Sequence, residues 1–532
     1  MREQGKKPGV GAVSGSGLML GIDLGTSGVK AAVFTSEGLL LGIDRSPYSV
    51  DSPRPGWAQT DPEKWWRGTC EAIRGACGSA GISPSEIAAV GLSVLFPAVM
   101  PVDRTGKALH PAILYSDQRS VAEVRAIEAV IPRGEYQSLT GNMLAPGNCA
   151  AASILWLRSH APEAFAGSRV AWANTFLLHR LTGSFATDPS MVSLSGLADV
   201  RDPLRWSDGL CGRLGIALEA LPEIRGSAEA AGAVCEAAHT ETGLRVGVPV
   251  ACGCGDTPAS TFGAGARSPG DVVYSAGSTD CVTTLLSHPS RDPRWVTCAF
   301  PAGPPWCAIG TTTSSGASVA WFCREILASE GPGGREQLSL LAGRSPPGAN
   351  GLLFLPYLQG ERTPLWDPRA RGTFFGLSAA TSRADMARAV LEGTALGLRA
   401  VIDGLPEVGG DKSGDASGEL AGDAAGPIRL VGGGAADGLW NRIKADALGR
   451  ALAVSSFQET GVLGAALLGG IGAGVVGSFV EASRIAGSRG TPTTVEPDPE
   501  AARLYGELYG LFRDLYDRSK EIAHSLADRG GA

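Results

Sequence analysis

Gly21-Ile22-Asp23-Leu24-Gly25-Thr26-Ser27-Gly28-Val29-Lys30 is the stretch from which the rest of the chain is read. Leu18 to Ile22 is an apolar run of strand character, Asp23 to Gly28 a polar glycine turn, and Val29 to Phe34 a second strand. Ser36-Glu37-Gly38 marks another turn before a third strand, Leu39 to Ile43, so the segment predicts a β-meander. A turn of this composition has two readings. Its successive backbone N–H groups form a concave nest for an anion, with hydroxyls as further donors and Asp23 placed to hold a magnesium ion directly or through water. Alternatively it is an ordinary hairpin turn, since Gly, Ser and Asp dominate turns for conformational reasons alone.

Downstream, Pro62 to Ala76 has helical character, Ile87 to Ser93 reads as a strand, and Val121 to Ile131 carries apolar residues at helical spacing behind Ser120 as N-cap. Strands and helices alternate, which predicts an α/β class. Near Gly270 the opening grammar returns: Val272 to Ser275, then Gly277-Ser278-Thr279, then Cys281 to Leu285. Two halves that each open with a hairpin suggest a duplication with a cleft between them. The length of 532 residues agrees, because single cores stop growing at roughly 250 to 300 residues. The expected division is 18–266 and 267–515, with residues 1–17 as a disordered leader, 516–532 as a tail, and 407–426, rich in Gly, Ala, Ser and Asp, as a flexible insertion without chemistry.

Two further motifs carry possible chemistry. Gly253-Cys254-Gly255-Asp256-Thr257-Pro258-Ala259 follows the apolar run Val248 to Cys252 and precedes a helix of small residues. Asp256 there is either a cleft carboxylate able to take a proton from a hydroxyl or simply a helix N-cap. Leu430-Val431-Gly432-Gly433-Gly434-Ala435 runs a strand into glycines, leaving the backbone open to a flat ligand or phosphates, or making a tight strand-to-helix turn.

Other classes recede. The net charge of −7 offers no general attraction to nucleic acid, and no run is long and apolar enough to span a membrane. The eleven cysteines are scattered through apolar runs and read as reduced thiols of a cytoplasmic protein; Cys252 and Cys254 lack the partners of a zinc site. GxxxxGK[ST] is absent, and the GxGxxG of Gly472 to Gly477 follows the helical run Val462 to Leu468, so it reads as helix packing and not as a dinucleotide site. No pair of the six histidines has metal or triad spacing.

From about Leu18 to Gly474 these residues resemble the FGGY carbohydrate kinases of the actin and hexokinase superfamily. The resemblance includes Pro55-Gly56-Trp57-Ala58-Gln59, Asp61-Pro62-Glu63-Lys64-Trp65-Trp66, Pro111 to Arg119 and Leu181-Thr182-Gly183. In the second half it includes Leu355-Pro356-Tyr357-Leu358-Gln359-Gly360-Glu361-Arg362-Thr363-Pro364, Trp366-Asp367-Pro368 and Gly372 to Gly393. It implies a two-domain α/β, ribonuclease H-like fold with a central cleft, and a cytoplasmic kinase that uses ATP and Mg2+ on a small sugar and forms a possible homodimer. By the same resemblance Asp256 is the catalytic base and Asp23 the magnesium-associated carboxylate. Gly25, Thr26, Ser27, Gly277, Ser278, Thr279 and Gly316 face phosphate, Gly433, Gly434 and Ala435 lie near the nucleotide, and Phe96, Pro97, Tyr115, Asp117 and Asn174 stand on the substrate side with Asp256. Glu361 and Arg362 are read as a structural ion network.

The departures fall on the sugar side. Leu95-Phe96-Pro97 stands where xylulokinase-like members usually present Gln-Met-His and glycerol kinases Arg-Glu; Tyr115 replaces a common tryptophan, and Ser153 a common lysine. The expected acceptor is a ketopentose such as xylulose, with another ketose, a polyol or an aldonate as alternatives. A non-catalytic nucleotide-binding relative of actin is the rival from another class, and an oxidoreductase resting on Gly472 to Gly477 a distant third.

Overall fold

The structure is a computed structural model that describes residues 17–303, 305–329, 331–406, 426–490 and 492–529. Most of the expected leader and nearly all of the 407–426 insertion lie outside the described residues.

Two seven-stranded mixed sheets form the frame. The first contains β1 (Leu18–Gly25), β2 (Gly28–Phe34), β3 (Leu40–Pro47), β4 (Ile87–Val94), β5 (Ala230–Ala233), β6 (Pro249–Ala251) and β7 (Cys254–Gly255), in the order β5-β6-β4-β1-β2-β3, with β7 also paired to β4. The second contains β8 (Val272–Ser275), β9 (Cys281–Leu286), β10 (Val296–Ala299), β11 (Trp306–Thr311), β12 (Ile428–Val431), β13 (Leu452–Val454) and β14 (Thr493–Val495), in the order β10-β11-β9-β8-β12-β13-β14. Each sheet is a three-stranded antiparallel meander followed by two parallel neighbours and an antiparallel strand: β3-β2-β1-β4-β6-β5 matches β11-β9-β8-β12-β13-β14. The repeated grammar of the sequence is therefore a repeated sheet.

The helices that position the site are α1 (Pro62–Ala80), α2 (Asp256–Gly263), α3 (Ser315–Glu325), α4 (Arg383–Asp403), α5 (Gly438–Leu448), α6 (Thr460–Gly472) and α7 (Pro499–Arg529). Helix α1 shows how local sequence sets its bounds. The Asp61 side chain accepts from Glu63 N, Pro62 fills the first turn, and Gly81 closes the helix at φ 71°, a left-handed conformation that glycine adopts without steric cost. Its stripe of Trp65, Trp66, Ile73 and Cys77 is buried against β2 and β3. Ser120 occupies the expected cap position before 121–130, but its side chain makes no capping bond.

Helix α6 ties the halves together. It comes late in the chain yet packs on β1 and β4 of the first sheet and on α2, through glycines where backbones touch. A methyl group on Gly91 would sit 1.9 Å from the Ala465 carbonyl oxygen, and one on Gly21 2.0 Å from that of Val462. We expect Gly91→Ala to cost at least the usual 1–3 kcal/mol of overpacking, roughly, read as a lowered Tm in calorimetry. An unchanged Tm would show that α6 can back away from the sheet. Around this helix one apolar cluster takes in Met19, Phe34 and Ala89 from the first half and Val273, Leu285 and Val431 from the second. Farther out, the Asn142 side chain exchanges two hydrogen bonds of 2.9 Å with the Thr297 backbone on β10.

The expected tail at 516–532 is not one over its described part. Residues 516–529 continue α7, whose Tyr516 hydroxyl and His524 Nε2 both reach Asp367 Oδ2, at 2.8 and 2.7 Å. The same helix is anchored by the buried Tyr505, which donates to Glu392 at 2.7 Å and accepts from Arg388 at 3.0 Å. Among the described residues no helix is long and apolar enough to cross a membrane.

Candidate active site

Asp23 and Asp256 emerge at the carboxyl ends of parallel strands on either side of β4, the edge where open α/β sheets bind ligands. In register, Ser93 on β4 lies between Asp23 on β1 and Cys254 on β7, and α2 begins with Asp256 just beyond. Ser93 Oγ donates to Asp23 Oδ1 at 2.7 Å and fixes its rotamer. Asp256 accepts from Thr257 N at 2.7 Å and Thr257 Oγ1 at 3.3 Å, both on Oδ1. Among the described residues its Oδ2 has no hydrogen-bond donor, and the N-cap of α2 is Gly255. Asp256 is thus the first residue of α2 and not its N-cap, and its Oδ1 holds the first-turn N–H of Thr257.

The electrostatics separate the two aspartates from ordinary surface carboxylates. Burial pushes Asp256 up to about 7, and the negative charge of Asp23 adds to the shift. Burial also raises Asp23, opposed by Lys30, its register partner across the hairpin, and by the Ser93 hydrogen bond. Lys30 is itself paired with Glu459 at 2.6 Å. Of the two, Asp23 offers the hard oxygen that a divalent cation takes together with phosphate and water.

The turn between β1 and β2 is a two-residue hairpin, Thr26-Ser27, flanked by Gly25 and Gly28. It is held from outside: Tyr48 N donates to Ser27 O at 3.0 Å, the Tyr48 hydroxyl donates to Gly25 O, and Thr26 Oγ1 lies 3.1 Å from the Tyr115 hydroxyl. Tyr115, expected on the substrate side, therefore joins that side to the first turn. Phe96, expected on the substrate side, is half-buried with its ring against Gly255, where a Cβ would come within 2.8 Å of it.

In the second half the turn Gly277-Ser278-Thr279 between β8 and β9 is exposed. The glycine segment after β12 lies beside it, with Gly434 N donating to Ala276 O at 3.1 Å. Gly433 is exposed with open space where a Cβ would project.

Several expectations need correction. Asn174 is fully buried: its side chain donates to Asp188 at 3.2 Å and accepts from Thr187 Oγ1 and Thr175 N, so it braces the fold and presents nothing to a sugar. Asp117 is buried as well, holding Ala58 N at 2.6 Å and the Arg119 guanidinium, which lies over the Trp57 ring. Pro97 is buried beside Phe96. Gly316 sits against the second turn, where a Cβ would lie 2.2 Å from the Gly277 carbonyl oxygen, so it packs α3 onto that turn. Ala435 is buried, its carbonyl accepting from Asn441. Glu361 has no ion pair among the described residues; Oε1 accepts from Thr313 N at 2.6 Å and Arg362 N at 2.7 Å, and burial raises its carboxyl to about 7.

Sequence reasoning passed over Ser93, Tyr48 and the support behind Asp256, where Ser190 Oγ accepts from Gly255 N at 2.9 Å and donates to the buried Asp188 at 2.6 Å. The Asp188-Pro189-Ser190 run, a helix-start signal, was the available hint.

The fold and the site define a two-domain α/β phosphotransferase with its carboxylates on one half and a second glycine turn on the other. Comparison with known proteins agrees. Residues 18–263 match the model of the FGGY family of carbohydrate kinases, N-terminal domain, and residues 272–473 that of its C-terminal domain. The xylulose kinase of Escherichia coli (strain K12) is 30% identical over 509 residues, 94% of this chain and 99% of that protein. The gluconokinase of Bacillus subtilis (strain 168) is 26% identical, covering 93% and 95%. The crystal structure of xylulose kinase from Rhodospirillum rubrum superposes with a TM-score of 0.85 at 27% identity, covering 95% of this chain and all of that one. The chain belongs to the FGGY family of carbohydrate kinases and is an ATP-dependent sugar kinase.

Proposed function

We propose that the chain transfers the γ-phosphoryl group of MgATP to a hydroxyl of a small sugar, with a ketopentose such as xylulose as the first acceptor to test. The observation that carries the assignment of roles is the Asp256 carboxylate: raised to about 7, without a hydrogen-bond donor at Oδ2 among the described residues, and set against Asp23 at the mouth of the strands. A base with a pKa near the working pH combines the ionised form with a useful affinity for the proton. Asp256 Oδ2 takes the hydroxyl proton as the sugar oxygen attacks phosphorus in line, and ADP leaves with the electrons of the broken P–O bond. Asp23, oriented by Ser93, would hold the magnesium ion, which neutralises charge on the phosphate oxygens when bound.

The ketopentose reading is supported by the xylulose kinases among the relatives, while the gluconokinase keeps an aldonate in the panel. Phe96 and Tyr115 are the side chains that would touch the sugar: an apolar ring edge and a phenol, in place of a more polar lining. All eleven cysteines are free thiols, nine of them buried, which supports a reducing, cytoplasmic setting.

The test is ADP release with MgATP against ketoses, aldoses, polyols and aldonates. A ketopentose is expected to stimulate release, and Asp256→Ala to abolish the stimulation. ATP binding with no acceptor-stimulated release across the panel would overturn the reading in favour of a nucleotide-binding protein.

A further inference from the structure

Behind the two turns of the second half lies a buried charge that the phosphoryl-transfer scheme leaves unused. Lys444 on α5 is fully buried, and its Nζ has no hydrogen-bond partner among the described residues. It lies 3.6 Å from the centre of the Trp440 ring and 5.0 Å from that of Tyr274. Asp280, the residue directly after Thr279, is 1% exposed, and neither carboxylate oxygen has a hydrogen-bond partner among the described residues. Burying an ammonium and a carboxylate that no hydrogen bond satisfies is costly, so such a pair is not expected as filler for a core.

We infer that Lys444 is a buried cation that strengthens binding of the nucleotide's polyphosphate from beneath the two glycine turns without touching it, and that Asp280 is the counter-charge that keeps it in the fold. The inference rests on the reading that phosphates lie at those turns. Placement carries it. Asp280 continues the turn Gly277-Ser278-Thr279, its N–H donating to Thr312 Oγ1 at 3.2 Å. Lys444 lies on the helix that follows the segment Gly432 to Ala435, and Gly434 N joins that segment to Ala276 at the other turn. A positive charge in a low-dielectric interior acts over several ångströms on anions at the surface above it and is little screened by salt.

The groups facing the pair are few. Asp280 and Asp437 act on Lys444; Tyr274, Ser315 and Lys444 act on Asp280, whose own charge is felt by Glu361 and Cys281. Asp437 is already engaged, accepting from Trp440 N and Ser339 Oγ at 3.0 Å each. Burial pulls Lys444 down to about 8 against the attraction of Asp280 and then Asp437. Its charge is present below that pH and lost above it, so ATP affinity should fall as pH rises through about 8.

Binding of ATP and of adenosine is measured by calorimetry for the full chain, for Lys444→Met and for Lys444→Met with Asp280→Asn. The single variant leaves Asp280 unpaired and is expected to lose stability; the double variant removes both charges and recovers it. Both are expected to bind ATP more weakly, the single variant by roughly tenfold or more, with adenosine affinity within about twofold of the wild type. Recovery of the full wild-type ATP affinity in the double variant would overturn the inference, and so would wild-type affinity that stays level to pH 9.5. Gly433→Leu separates the two layers: if it leaves ATP affinity intact, the placement of the phosphates fails, whereas if it abolishes binding and the Lys444 variants do not weaken it, the inference alone fails.

Discussion

Asp256→Asn is expected to lower kcat by about a hundred- to ten-thousand-fold while raising Tm. Both effects come from the same carboxylate. The amide keeps an oxygen for Thr257 N and Thr257 Oγ1, so the start of α2 is preserved, but it cannot take up a proton from a sugar hydroxyl. The gain in stability follows from linkage. The folded-state pKa is raised from 3.8 to about 7, so the folded protein holds this proton over a range where the unfolded chain has lost it. Stability from this group therefore falls as pH rises from about 4 to about 7, and the ionised form is a standing cost above that. The Tm difference between variant and wild type should be largest above pH 7 and vanish near pH 4. The pH profile of kcat/KM checks the catalytic half: the wild type should lose activity tenfold per unit, roughly, below pH 7, and the variant should lack that limb. Equal turnover in a folded variant would remove Asp256 from its role as base.

The hairpins were legible because alternation and glycine turns are local, and the second hairpin repeated the first closely enough to suggest two halves. Asp23 and Asp256 could be singled out, but not the reason they meet. Their meeting depends on parallel pairing of β1 and β7 with β4 across long separations in sequence, which leaves no local trace, and Ser93 was overlooked for that reason. Asn174 and Asp117 failed for the opposite reason. A polar residue inside a matching motif reads the same whether it faces a ligand or is satisfied inside, and only the contacts with Asp188 and Arg119 tell which. Helix α6 illustrates a third limit. Its small-residue run was recognised as packing material, yet nothing local says that a segment so late in the chain lies on the first sheet. Residues 516–529 follow the same pattern, since their partner Asp367 is about 150 residues away.

Gly433→Leu is expected to raise the Kd for ATP by about a hundredfold or more with little change in Tm, and the contrast with neighbouring glycines makes the experiment decisive. At Gly434 a Cβ would meet the Ala276 methyl at 2.8 Å, and Gly432 adopts φ 89°, so substitution at either strains the fold itself. Gly433 has neither constraint: it lacks positive φ, is exposed, and has nothing among the described residues within 4 Å of a Cβ. A side chain there costs the free protein little and occupies the space beside the second turn where the nucleotide is proposed to lie. Excluding a ligand group by filling its space removes several kcal/mol of contacts, which at about 1.4 kcal/mol per tenfold corresponds to the expected loss. Calorimetry of ATP binding and thermal unfolding on the same sample measure the two halves. If Tm holds and ATP still binds as tightly as in the wild type, the nucleotide does not lie over Gly433. If both collapse together, the open space at Gly433 is already used by the fold.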